Sequence, residues 1–233
     1  MIRNKRLTIG ITMGDPSGIG PEIILKSFSK SSIKKNRILV IGDFNIMQAA
    51  HSILKITSFE LKRVRSVTEC VFNERTLNIL DLPLINMKEF QPGKVQAASG
   101  NASFECIRKA VDLVKNKEID AMVNCPISKE AINLAGYHYS GHTEYLMQKT
   151  KTEHVVMMLL NRNLKFSLVT RHVPLKKVSD QLDPKLILKD ILITHKSLIE
   201  LFKIKDPRIV FCGLNPHASD NGLIGDEENR ILK

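Results

Sequence analysis

Short runs of β-branched and aliphatic residues alternate with longer amphipathic stretches along this 233-residue chain, and that alternation leaves few folds open. Strands joined through crossover helices build a mainly parallel sheet, so the pattern predicts an α/β protein. Residues 7–13 and 37–41 read as strands, 21–28 as a helix with Pro21 at its first position, and 46–54 as a helix after the strand-ending Gly42-Asp43. Residues 76–80 read as a strand, with turns at Pro83, Pro92 and Gly93. Phe104, Ile107, Val111 and Val114 recur at helical spacing within 103–116, and 121–124 follows as a short buried strand. Residues 155–160, 165–170 and 209–212 are strand-like, and Asp183-Pro184 opens a long helix reaching about residue 202. The expected organisation is a first lobe over 1–125 and a second, Gly- and His-rich lobe over 126–233.

Thirty-five Lys and Arg stand against 24 Asp and Glu, a net charge of +11 that favours phosphorylated partners. Scattered lysines such as Lys26, Lys62, Lys115 and Lys176 also read simply as solvated surface. With three Tyr, no Trp and no helix-turn-helix, zinc-finger or RNA-binding signature, a nucleic-acid partner is not expected. Cys70, Cys106, Cys125 and Cys212 are too widely spaced for a CxxC motif and suit a reducing cytoplasm. The N-terminal run is basic, then apolar, and breaks at Gly14-Asp15-Pro16 before a signal core or membrane span forms, so no membrane partner is expected.

Five segments carry candidate chemistry. Gly14-Asp15-Pro16-Ser17-Gly18-Ile19-Gly20-Pro21-Glu22 joins a strand to a helix whose N-terminus offers free N–H groups to an anion. It is neither GxGxxG nor a P-loop, and it also reads as a tight turn with Asp15 as a cap. In Asn124-Cys125-Pro126-Ile127-Ser128-Lys129, Lys129 points at a phosphate or carboxylate beyond a strand end, or is a surface lysine in a helix's first turn. Ser140-Gly141-His142-Thr143-Glu144 offers an imidazole, a hydroxyl and backbone donors at a helix start, or is a capped helix alone. His172 in Arg171-His172-Val173-Pro174 and His217 in Asn215-Pro216-His217-Ala218 each follow a strand. A shared sheet would bring both imidazoles to one crevice fit for a divalent metal; unrelated loop histidines are the other reading.

In order and spacing, Ile11-Thr-Met-Gly-Asp-Pro-Ser-Gly-Ile-Gly-Pro-Glu22, Cys125-Pro-Ile-Ser-Lys129, Gly141-His-Thr-Glu144, His172-Val-Pro-Leu175 and Gly213-Leu-Asn-Pro-His-Ala218 resemble the 4-hydroxythreonine-4-phosphate dehydrogenase family of pyridoxal phosphate biosynthesis. The resemblance covers essentially the whole chain. It implies the two-lobed α/β architecture of isocitrate and isopropylmalate dehydrogenases, with mainly parallel sheets. It also implies oxidation and decarboxylation of 4-phosphooxy-L-threonine to 3-amino-2-oxopropyl phosphate, with NAD or NADP and a divalent metal: zinc, magnesium or cobalt. His172 and His217 would be metal ligands and His142 and Thr143 would hold substrate, with Asp15 and Lys129 as further candidates. The family implies a homodimer whose metal site is shared between chains.

Two departures stand out. His217-Ala218-Ser219-Asp220 replaces the family's His-Ala-Gly-Glu, and the chain stops at Leu232-Lys233 where the family continues for about another third of its length. The part beyond would carry the third metal histidine and complete the first lobe, so the expectation is a fold incomplete at its C-terminus. The alternatives are a related dehydrogenase for erythronate or threonate 4-phosphate, and an inactive truncated remnant.

Overall fold

A computed structural model describes residues 6–30, 33–139 and 141–232 of the chain. The start of the basic N-terminal run (1–5), Ser140 of the third motif and Lys233 lie outside them.

β1 (Thr8–Thr12), β2 (Arg37–Gly42), β3 (Glu60–Val64), β4 (Thr76–Asp81) and β5 (Ala121–Asn124) form one sheet in the order β3-β4-β2-β1-β5. Every pairing is parallel, with Thr12 at the end of β1 level with Ile41 of β2 and Asn124 of β5. Strands buried on both faces need near-continuous apolar sequence, and Ile38, Leu39, Val40 and Ile41 supply it in β2. The helices are α1 (Gly20–Phe28), α2 (Phe44–Ile53), α3 (Ala97–Lys115), α4 (Lys129–Leu134) and α5 (His142–Thr150). The β1-to-β2 and β4-to-β5 crossovers run in opposite directions along the sheet, so right-handed connections put α1 and α2 on one face and α3 on the other. α1 and α2 pack side by side, while α3 lies against β1, β2 and β5.

Local chemistry sets the ends. Pro21 sits in the first turn of α1, where its missing N–H costs nothing. The Asp43 carboxylate caps α2 by accepting from Asn45 N at 2.9 Å and also accepts from Leu84 N and Ile85 N at 3.1 Å, tying the β2–α2 turn to the segment after β4. α3 starts at Ala97, six residues before the apolar spacing announces a helix, because its opening Ser99, Gly100, Ala102 and Ser103 bury through small size. β5 is half-buried where the sequence suggests full burial, with Val123 52% exposed, because it is the sheet's edge.

The chain divides into two compact units, Met1–Thr150 and Lys151–Lys233. This division falls later than the expected lobe boundary at 125/126, since α4 and α5 both pack on α3. In the second unit, β6 (Met157–Leu160) and β7 (Lys165–Leu168) pair antiparallel. α6 (Pro184–Glu200) follows, capped by the Asp183 carboxylate on Lys185 N at 3.1 Å. Residues 209–212 do not form the expected strand. They join no ladder and instead line, with β7 and α6, a cavity of about 240 Å³. A β-prone sequence becomes a strand only where a partner edge meets it, and here a void intervenes. No described helix is long and apolar enough to cross a membrane.

Candidate active site

β1 lies between β2, which its own crossover reaches, and β5, which arrives from the opposite side. Ligands of open α/β sheets collect at such a reversal, outside the carboxyl ends of the strands. The turn 14–20 leaves β1 at that edge and Cys125-Pro126 leaves β5 there. The structure joins these two motifs directly: Asp15 N donates to Pro126 O at 2.9 Å, and the Cys125 thiol faces Gly20 O. A Cβ on Gly14 would lie 2.4 Å from Pro126 O, and one on Gly20 would lie 2.1 Å from Met13 O. Both glycines thus serve the turn's packing on its own chain.

Asp15 makes the turn. Its carboxylate accepts from Ser17 N at 2.9 Å, and its carbonyl accepts from Gly18 N at 3.0 Å. Burial pushes its carboxyl above the usual range, against the Ser17 N–H, which favours the charged form. Lys129 is exposed at the first position of α4, whose Ser128 cap accepts from Ala131 N at 3.1 Å.

Residues absent from the sequence expectations hold these segments together, and they lie in the first half of α3. The Ser99 and Ser17 hydroxyls are 2.7 Å apart in a buried pair. Gly100 lets α4 approach so closely that a Cβ there would sit 1.9 Å from Ala131 O. Asn101 accepts from the Tyr137 hydroxyl at 2.9 Å, with Glu105 3.3 Å away. A glycine inside a helix is unfavourable by about 1 kcal/mol against alanine, so Gly100 was the available signal of a close approach.

His142 and Thr143 open α5, both partly buried. The His142 Nε2 is shielded from solvent and has no hydrogen-bond partner among the described residues. Burial holds its imidazole below the ordinary histidine value, so the ring is neutral at pH 7. Three residues on, the Tyr145 hydroxyl is likewise buried and unpartnered, and burial pushes it up to about 12. A neutral imidazole nitrogen without a partner is a hydrogen-bonding group open to a ligand.

His172 and His217 belong to the second unit, apart from the four candidates of the first. His172 is exposed with φ 54°, in the turn after β7. His217 is exposed at the start of a left-handed run in which residues 217–221 all have positive φ. β7 and 209–212 share no sheet, so the expected common edge for these two rings is not formed. As donors they suit a divalent cation in kind, but among the described residues no three His, Cys, Asp or Glu side chains gather as a metal cage. His154 pairs through Nε2 with the buried Asp190. Burial raises the Cys106 thiol to about 12 and Cys70 and Cys125 to about 11, which favours their protonated form.

A parallel sheet with a turn-lined reversal at its carboxyl edge, and an unpartnered imidazole nitrogen on a helix of the same unit, give an α/β protein of the kind that binds small molecules at that edge. Residues 34–233 match the family of pyridoxal phosphate biosynthetic protein PdxA. A D-threonate 4-phosphate dehydrogenase from Salmonella typhimurium is 37% identical over 225 residues, spanning 97% of this chain and 68% of that protein. The crystal structure of a 4-hydroxythreonine-4-phosphate dehydrogenase from Klebsiella pneumoniae matches with TM-score 0.88 at 35% identity, covering 99% of this chain and 69% of that one. A second, from Burkholderia phymatum, matches with TM-score 0.82 at 35% identity over 97% of this chain and 68% of its own. The chain belongs to the PdxA family and is an oxidoreductase, as the five motifs led one to expect.

Proposed function

We propose that this protein oxidises the secondary alcohol of a four-carbon hydroxy acid 4-phosphate, with NAD or NADP as hydride acceptor, and that the resulting β-keto acid loses carbon dioxide. The observation that carries the reading is the neutral, unpartnered His142 Nε2 at the head of α5. A neutral ring both donates and accepts, so His142 and the Thr143 hydroxyl are suited to a phosphorylated, hydroxylated substrate without placing a positive charge on its reacting hydroxyl. The charge of +11 favours the approach of such an anion. When bound, the nicotinamide would supply a hydride acceptor for the alcohol carbon, whose hydroxyl would give up its proton; loss of the neighbouring carboxyl as carbon dioxide would then be balanced by uptake of one proton at the carbon it leaves.

His172 and His217 would hold two positions of a divalent cation, zinc, magnesium or cobalt, which when bound supplies Lewis acidity at the reacting oxygen. Their two imidazoles do not complete its shell, and a homodimer sharing the site is part of this proposal. A cytoplasmic location is proposed with it.

The name of the Salmonella relative favours D-threonate 4-phosphate as substrate. The names of the two solved structures favour the second reading, 4-phosphooxy-L-threonine. Incubation with each compound, NAD or NADP, and each metal in turn is expected to yield reduced nicotinamide, and the ratio of kcat/KM values assigns the substrate. Absence of reduction with both compounds under every combination rejects the proposal. His217→Ala is expected to abolish metal-dependent turnover; normal turnover in that variant removes His217 from the ligand set.

A further inference from the structure

We infer that Glu228 is the positioning residue for His217: its buried carboxylate ties the chain on both sides of that residue and so fixes where the imidazole meets a cation. The inference rests on the ligand role proposed above for His217. The ring is exposed, which leaves its placement to the backbone that carries it.

That backbone is not one the chain holds unaided. His217, Ala218, Ser219, Asp220 and Asn221 all have φ between 45° and 71°, a left-handed region that residues other than glycine keep only where surrounding contacts impose it. The contacts come from Glu228, at the start of the helical turn Glu228–Leu232. Two residues before His217, Asn215 N donates to Glu228 Oε1 at 2.5 Å and Asn215 Nδ2 donates to Glu228 Oε2 at 2.9 Å. Two residues after it, the buried Ser219 hydroxyl donates to the same Oε2. A carboxylate only accepts, and bonds to its charge are stronger than those between neutral groups, so one side chain gathers all three donors. Within this bracket Ala218 N donates to Asn215 O at 3.1 Å, and just beyond it Ile224 N donates to Ser219 O at 3.0 Å. Glu227 adds a second hold on Asn215, accepting from its Nδ2 at 2.7 Å. Gly225 makes room for that pair: a Cβ there would lie 2.5 Å from Glu227 Oε2 and 2.7 Å from Asn215 Nδ2.

Releasing the carboxylate lowers the fraction of molecules with the loop in its binding arrangement, and apparent metal affinity falls with that fraction. The probe is zinc alone, titrated into the full chain against a chromophoric chelator. Groups behind a metal ligand change affinity about 10–100-fold, so Glu228→Ala is expected to raise the zinc dissociation constant about tenfold or more. Ser219→Ala, which removes one of the three bonds, is expected to raise it about threefold, with Glu228→Gln between them. A second arm needs no metal. Amide hydrogen exchange of Ala218 and Ile224 is expected to quicken about tenfold in Glu228→Ala, while Ile187 in the first turn of α6, bonded to Asp183 O, stays within about twofold of the parent.

Weakened zinc binding and quickened loop exchange, with Ile187 unmoved, uphold the inference. A folded Glu228→Ala with the parent's zinc affinity overturns it even if exchange quickens, since the carboxylate then only braces the fold. Quickening at Ile187 to the same degree marks global loosening and also overturns it. If Glu228→Ala does not fold, Glu228→Gln and Ser219→Ala decide it: zinc weakened in both supports the inference, and parent affinity in either overturns it. If zinc binds the parent no more tightly than His217→Ala, the ligand role in the proposed function fails. Quickened exchange confined to Ala218 and Ile224 then still upholds the placement of His217 by Glu228, and parent-like exchange overturns it.

Discussion

The two units of this chain use similar sequence patterns to different ends. In the first, the alternation of strands and crossovers supplies cover for both faces of the sheet, and Leu39, Val40 and Ile41 of β2 have no exposed surface. In the second, the buried hydrophobic residues among those described are Ile187, Leu198 and Ile231, while Leu188 and Leu192 along α6, Leu201 at its C-cap and Val210 lie exposed. A two-stranded antiparallel sheet offers one helix little to pack on. Hydrophobic patterning therefore predicts an element's type more securely than its burial. The candidate residues follow the same split: Asp15, Lys129, His142 and Thr143 sit on the well-buried unit, His172 and His217 on the thinly buried one.

Core truncation tests this contrast most severely. Leu39→Ala is expected to lower stability by about 2–5 kcal/mol in urea denaturation, whereas Val210→Ala, at a residue 85% exposed, should change it by no more than about 0.5 kcal/mol. Equal losses would erase the distinction between the units. Next in size is Gly100→Ala, whose methyl would meet Ala131 O at 1.9 Å; a loss of about 1–3 kcal/mol is expected, and a neutral result would show that α3 and α4 are not in close contact.

Thiol labelling separates the units without mutation. At pH 8 an alkylating reagent should modify the exposed Cys212 first, while burial keeps Cys106, Cys125 and Cys70 protonated until unfolding. Reaction of Cys106 at the rate of Cys212 would contradict the burial of α3 on the sheet. The smallest effect is that of His142. Because burial lowers its folded value, the unfolded chain takes up the proton first as pH falls through about 6.5, and the native state loses stability from there down to the folded value. Against His142→Gln, the loss should steepen to at most about 1.4 kcal/mol per pH unit and vanish above that window. A relative gain on acidification would mean that the ring is charged and paired.

Much of the first unit was legible in sequence. The strands read at 7–13, 37–41 and 76–80 appear as Thr8–Thr12, Arg37–Gly42 and Thr76–Asp81, because apolar runs of that length between turn residues have few alternatives. β3 was missed: Glu60-Leu-Lys-Arg-Val is an edge strand whose charges break the apolar run. The motifs 14–22 and 125–129 were found as separate candidates, but the Asp15–Pro126 bond that joins them spans more than a hundred residues and leaves no mark in local pattern. Ser99 and Asn101 escaped notice for the same reason, since short polar residues at a helix start acquire meaning only from what packs on them.

By itself the sequence determined the α/β class, the register of apolar and turn residues, and the family, because these depend on neighbours along the chain and on five motifs in order. Tertiary structure alone decided that Gly14 and Gly20 serve packing, that 209–212 stays out of the sheet, and that His142 is neutral with an unpartnered nitrogen. The physical reason is that strand pairing, close approach and desolvation are properties of groups brought together from distant positions, and no local pattern encodes the distance between them.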